Sequence, residues 1–177
     1  MTDAQLVEAC KKGDSRAQQE LFNKFAGKMM ALCTRYAHHK DDAQDILQEG
    51  FIKVFDKLEQ YKGEGALGGW IRMIMINTAL IHLRKDKNWH MREELTEAAE
   101  YNQHEFGVLE ELAAEDLMNL IQDLPPGYKM VFNLFAIEGF SHKEIAEELS
   151  ISESTSKTQF HKAKAWLQKK LTSITHT

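Results

Sequence analysis

The chain has 177 residues, of which 43% are hydrophobic and 28% charged, and its formal net charge is −5. This composition is that of a soluble protein able to bury one large core or two small ones. Only two prolines and ten glycines interrupt it, and alternating runs of Val, Ile and Thr are missing, so the expected fold is all-α.

The N-terminal stretch "TDAQLVEACKKGDSRAQQELFNKFAGKMMALCTRYAHHK" predicts a short capped helix, a Gly-Asp break and a longer helix. Leu21, Phe22, Phe25, Met29, Leu32, Cys33 and Tyr36 form the core stripe of that second helix. The next segment, "DDAQDILQEGFIKVFDKLEQY", places Ile46, Leu47, Phe51, Val54, Phe55 and Leu58 inward. Asp41, Asp45, Gln48, Glu49 and Ile52 share a second face at spacings of three and four. Acids at a helix start complement its dipole, which accounts for Asp41, Asp42 and Asp45. Gln48 and Glu49 lie beyond the first turn and need another reason.

In "YKGEGALGGW", four glycines fall within seven residues, which marks a loop with unusual backbone angles or a close approach. The Walker phosphate-binding pattern is absent from it. A last helix, "WIRMIMINTALIHLRKDK", is expected to bury Ile71 and Ile74. It carries Trp70 at its start, Asn77 in its middle and Arg84, Lys85 and Lys87 at its end. Its run "MIMINTALIHL" is too short and too polar to cross a bilayer. Cys10 and Cys33 lack CxxC spacing and no signal peptide precedes them, so reduced core thiols and a cytoplasmic location are expected.

The charge is unevenly spread. Residues 93–126 hold ten acids and no Lys or Arg, whereas the segments on either side are weakly basic. Such a block reads as a solvated connector. Leu109, Leu112, Leu117, Leu120 and Ile121 give its second half a near-helical stripe that joins the C-terminal unit.

That unit contains "FSHKEIAEELSISESTSKTQFHKAKAWLQKK". Ser141 and Glu144 form a capping-box pattern, and Ile145, Ala146 and Leu149 give one apolar face. Ser150 sits in the turn, and Ser152 caps a second helix that buries Phe160, Ala163, Leu167 and Leu171. Ser154, Lys157, Thr158, His161, Lys162 and Lys164 occupy the other face. A helix pair of this kind fits the major groove of DNA. Ser150 stands where glycine is usual and serine is costlier in left-handed geometry. Ser156 interrupts the apolar stripe, and valine there would add roughly 1 kcal/mol of stability if the site is buried.

The eight histidines show neither HExxH nor zinc-type Cys/His spacing, and GxSxG is absent, so no enzyme, metal or cofactor is expected. Taken in order, "DDAQDILQEGFIKVF", "YKGEGALGGWIRMIMINTALIHLRK", the acidic segment, "LPPGYKMVFNLFAIEGFSHKEIAEEL" and the helix pair resemble the extracytoplasmic function (ECF) sigma factors of bacterial RNA polymerase. The resemblance implies a region 2-like domain at 1–92, an acidic linker at 93–110 and a region 4-like helix-turn-helix domain at 111–177.

It also implies roles. Asp42, Asp45, Gln48 and Glu49 match the face that docks on the clamp coiled coil of the largest subunit of core polymerase. Tyr61, Lys62, Gly63, Glu64 and Leu67 belong to the loop that captures an unstacked base of the −10 strand. Trp70, Asn77, Arg84 and Lys85 contact the same strand. Ser154, Lys157, Thr158, His161, Lys162 and Lys164 read the −35 duplex. An anti-sigma factor is the expected regulatory partner, with no membrane insertion.

Departures from the family pattern are Gly65 and Leu67 in the loop, in place of a serine and an aromatic. Ile81 replaces a common acid, and Gln159 replaces an arginine of the recognition helix, removing a phosphate or guanine contact. The competing reading is a stand-alone helix-turn-helix regulator that binds duplex as a dimer. It leaves the acidic face and the glycine loop without a task.

Overall fold

A reciprocal cap starts the fold: the Gln5 N–H donates to Thr2 Oγ1 at 3.3 Å, and the Thr2 N–H donates to Gln5 Oε1 at 2.9 Å. It opens α1, Asp3–Lys11. Asp14 then accepts from the N–H groups of Arg16 and Ala17 and opens α2, Ser15–Tyr36. The computed structural model describes residues 1–85 and 114–175, which fall into two units divided between Lys85 and Asp86. The expected boundary at 92 and the whole expected acidic linker, 93–110, lie outside the described residues. No strand occurs among those described, so the fold class is all-α.

In the first unit α2 is followed by α3, Lys40–Asp56, a 3-10 turn at Leu58–Gln60 and α4, Leu67–Arg84. Helix α2 buries its expected stripe except Phe22, which is half-buried, its ring 4.7 Å from that of Phe51 and tilted by 57°. Ile46, Phe51, Val54 and Leu58 are buried as expected, while Leu47 and Phe55 sit at the margin. Helix α4 begins three residues before Trp70, so Leu67 is helical rather than part of the loop. Ile71, Met75, Ile76, Ala79, Leu80 and Leu83 line its inner side. Where α3 and α4 cross, a Cβ at Gly50 would run into Met75 Sδ and stand 2.8 Å from its Cε.

The second unit begins with α5, Ala114–Gln122, which buries Leu120 and Ile121 and packs Leu117 on the same core. Leu109 and Leu112 lie outside the described residues. Pro126, whose missing N–H costs nothing at a helix start, opens α6, Pro126–Phe132. A widened π turn, Asn133–Ile137, follows, with Asn133 Nδ2 bonded to the Lys129 carbonyl at 2.9 Å. Helices α7, His142–Leu149, and α8, Glu153–Thr175, complete the unit. Leu124, Phe132, Ala163, Leu167 and Leu171 join Leu120 and Ile121 in one core.

The α7–α8 turn has the left-handed residue that the sequence disfavours. Ser150 has φ 55° and ψ 46°, and its N–H and that of Ile151 both donate to the Ala146 carbonyl. The Ser141 cap is half of a capping box. Its Oγ accepts from the Glu144 N–H and donates to Glu144 Oε1, each at 3.1 Å, and that side chain does not reach back to the Ser141 backbone.

Two substitutions test these packing arguments by chemical denaturation of the full chain. Gly50→Ala should lower stability by about 1–3 kcal/mol, because Met75 is fully buried and cannot swing aside freely. Ser150→Gly should raise stability by about 1 kcal/mol by removing the left-handed penalty of a β-carbon.

Candidate functional site

Helix α3 presents its second face to solvent. Asp41, Asp45, Gln48, Glu49 and Ile52 are exposed, Ile52 to 61%. Asp45, Gln48 and Glu49 make no side-chain hydrogen bond or ion pair among the described residues. Asp42 differs. It is half-buried on the α4 side of the helix, with Oδ1 3.8 Å from His82 Nε2.

The glycine loop is held from two directions. Lys11 Nζ reaches the Tyr61 carbonyl at 3.4 Å, and the Tyr61 hydroxyl donates to the Gly65 carbonyl at 2.9 Å. Gly63 and Gly65 have φ of +76° and +75°, which glycine adopts without the strain of a β-carbon. The Tyr61 ring lies 5.3 Å from Trp70, so the loop closes over the first turns of α4. Lys62 and Glu64 are exposed at its tip. Asn77, Arg84 and Lys85 are exposed along α4, so Asn77 needs no internal partner.

Two placements differ from expectation. Leu67 is 1% exposed and belongs to the core, because α4 starts there and turns it inward. It anchors the loop and has no surface to offer a base. Met73 was missed: it is 38% exposed, between Trp70 and Asn77 on the same face. Its spacing of three and four from those residues was the available signal, hidden by the apolar run around it.

In the second unit, Ser154 and Lys157 are exposed, and Thr158, His161 and Lys162 are half-exposed on the same face of α8. Lys164 turns to the flank, with its ammonium 5.0 Å above the Phe160 ring and its pKa lowered by burial. Gln159 is 2% exposed, packed inward, so the expected loss of a DNA contact at that position does not apply.

Ser156 lies in the buried stripe, as its spacing implies, but its hydroxyl has a partner there. It is fully buried, and its hydroxyl lies 2.8 Å from His142 Nδ1. The imidazole stacks on Phe135 at 4.2 Å with an interplanar angle of 11°, and Phe160 meets its edge. Burial first, then Lys157 and His161, pushes the His142 pKa below its usual 6.5, opposed by Glu153. Valine at 156 would therefore strip a hydrogen bond from a half-buried ring, and the expected gain does not follow.

Two family descriptions match the chain: Sigma-70 region 2 over residues 21–89 and Sigma-70 region 4 over 114–167. It is 30% identical over 180 residues to the RNA polymerase sigma-H factor of Pseudomonas aeruginosa, covering 96% of this chain and 93% of that one. The chain belongs to the ECF sigma factor family. It is also 29% identical to the ECF RNA polymerase sigma-E factor of Haemophilus influenzae, over 97% of this chain and 96% of the other. The fold resembles that of the sigma factor RpoE in complex with the anti-sigma factor NepR from Bartonella quintana. The TM-score is 0.54 at 18% identity, covering 87% of this chain and 96% of that one. ECF sigma factors are transcription initiation factors rather than enzymes. No described helix is long and apolar enough to cross a membrane.

Ser156→Val should lower the stability of the full chain by about 1 kcal/mol, measured by denaturation. His142 provides a sign check: its folded pKa lies below the unfolded 6.5, so the folded state is favoured fully above that pH. Stability should fall as pH drops through and below 6.5, and an NMR titration of the His142 ring should show a midpoint under that value.

Proposed function

We propose that this ECF sigma factor uses the exposed α3 face to dock on core RNA polymerase and the loop–α4 face to hold the opened −10 strand. It binds core polymerase and directs initiation from specific promoters. The observation that carries the assignment of the first surface is the idleness of Asp45, Gln48 and Glu49. They make no internal bond among the described residues, so the fold does not require them. Exposed acids beside an exposed Ile52 suit a basic partner surface with an apolar centre. The clamp coiled coil of the largest subunit is the partner that the family pattern assigns to this position.

Support for the second surface comes from how it is built. Tyr61, Lys62, Gly63 and Glu64 form a loop closed over Trp70, with Asn77, Arg84 and Lys85 exposed farther along α4. Aromatic rings, an amide and cations in a row suit a single strand, where stacking and backbone charge dominate. Extruding a base costs a few kcal/mol, and a preformed loop helps to offset it. Helix α8 supplies the duplex reader, with Ser154, Lys157, Thr158, His161 and Lys162 toward the groove and Lys164 toward the flanking phosphate. A cytoplasmic location and control by an anti-sigma factor complete the proposal, the latter suggested by the partner of the Bartonella protein.

Asp45→Lys combined with Glu49→Lys should weaken core polymerase binding by about tenfold or more. Thermal stability should change little, because Asp45 and Glu49 both lie beyond the first turn of α3, where the dipole expected to hold Asp45 has faded, and neither makes a bond among the described residues. Unchanged affinity would misplace the docking face. Reconstituted transcription with core enzyme should start only from templates carrying the cognate promoter. Tight retardation of promoter duplex by the chain alone would favour a stand-alone regulator.

A further inference from the structure

The N-terminal unit has a second basic feature, which none of the roles above uses. A pocket of about 280 Å³ opens between α2 and the first turns of α4. Its charged lining is Lys28, Arg35 and Arg72, with no carboxylate among them. Its floor is apolar, made by Phe25, Met29 and Leu32, each at most 8% exposed. One wall is bare backbone at Gly68 and Gly69, and a Cβ at Gly69 would meet nothing within 4 Å.

Each part restricts the occupant. Three cations around one concavity, in a chain of net charge −5, focus a positive field on a small volume. Guanidinium groups favour planar or tetrahedral oxyanions that take two hydrogen bonds at once. A bare inorganic anion would leave the apolar floor wet, so the ligand needs a flat apolar part beside its charge. The volume lies at the small end of ligand pockets, which excludes a helix or a long peptide. One base with one phosphate has the right chemistry and the right size.

We propose that this pocket binds a single nucleotide, its base against Phe25, Met29 and Leu32 and its phosphate on Arg72, Arg35 and Lys28. The site is distinct from the loop described above. At about 100° per residue, positions 68, 69 and 72 lie roughly a third of the helix circumference away from 70, 73 and 77. The nucleotide has two possible sources, a free nucleoside phosphate or one unit of a single strand crossing α4.

NMR titration of the full chain without polymerase tests this, following the backbone amides of Gly68, Gly69 and Arg72. The probes are dAMP, inorganic phosphate, a deoxytetranucleotide and hexaglutamate. The dAMP should produce saturable shifts at those three amides, with affinity at least about tenfold above that of phosphate or hexaglutamate. Arg72→Gln should weaken binding by about fivefold or more. Gly69→Leu should abolish it by filling the pocket, without lowering the melting temperature, since a Cβ there meets nothing within 4 Å and leucine favours the helix over glycine.

Tighter binding of the tetranucleotide than of dAMP assigns the strand as source, and equal binding assigns the free nucleotide. The proposal is overturned by absent shifts, by phosphate or hexaglutamate binding as well as dAMP, or by full binding in folded Gly69→Leu. Neither polymerase nor promoter enters the readout, so failure would leave the sigma-factor assignment standing.

Discussion

The close seating of α4 against its two neighbours is the constraint on which the N-terminal unit depends. At Gly50 the α3 backbone comes so near Met75 that no side chain fits between them. At Gly68 the α4 backbone lies against Phe25 of α2, where a Cβ would come within 3.2 Å of the ring. Held on both sides, α4 cannot roll about its axis without opening voids in a packed interior. Its outward residues therefore keep fixed directions, with Trp70, Met73 and Asn77 on one flank and Gly69 and Arg72 on another. A surface held in place before its ligand arrives loses less entropy on binding.

Net charge describes this chain poorly. Its excess acid is concentrated in residues 93–126, and cations gather at the end of α4, around the α2–α4 pocket and on α8. Exposed charges farther apart than about 8 Å act nearly independently at physiological salt. Each cationic surface can therefore attract phosphate locally on a protein that is acidic on average. Neither reader has to hold DNA alone, because tethering both on one polymerase turns the second contact into an intramolecular event. Weak separate affinities then serve selectivity, since a site offering only one element is not retained.

Periodicity made most of the fold legible. The stripes of α2 and α3 and the buried Leu167 and Leu171 of α8 follow from spacing alone, because a large apolar side chain has few places to go. The exposed α3 face was legible for the converse reason, since Gln48 and Glu49 served no local purpose. Legibility failed where one residue could face either way. Leu67 is expected in the loop because glycines flank it on both sides and the family loop spans it, and no capping side chain at Ala66 marks the start of α4 against that reading. Gln159 is expected at the surface because the family position it matches holds a DNA-contacting arginine, whereas its spacing from Ser156 and Ala163 puts it on the buried side of α8. The α2–α4 pocket was invisible in one dimension, since Lys28, Arg35 and Arg72 come together only when the helices pack.

The α7–α8 pair shows why polar residues sit where an apolar stripe would have sufficed. Thr155, Ser156 and Gln159 are buried on the inner side of α8, in the turns nearest the bend. An apolar contact there would tolerate sliding, because hydrophobic attraction has little directional preference. The bond from His142 to Ser156 has a preferred length and angle, and the stack on Phe135 fixes the imidazole plane. The Ser152 cap, with its hydroxyl accepting from the Thr155 N–H at 3.0 Å, sets where α8 begins. Such a cap contributes about 1 kcal/mol, comparable to the roughly 1–2 kcal/mol that left-handed Ser150 costs. The turn is thus determined several times over by directional contacts, and the strained serine persists because its neighbours leave it no alternative. A recognition helix must present its side chains at one angle to a rigid groove. Bonds that specify an angle meet that requirement better than extra apolar area would.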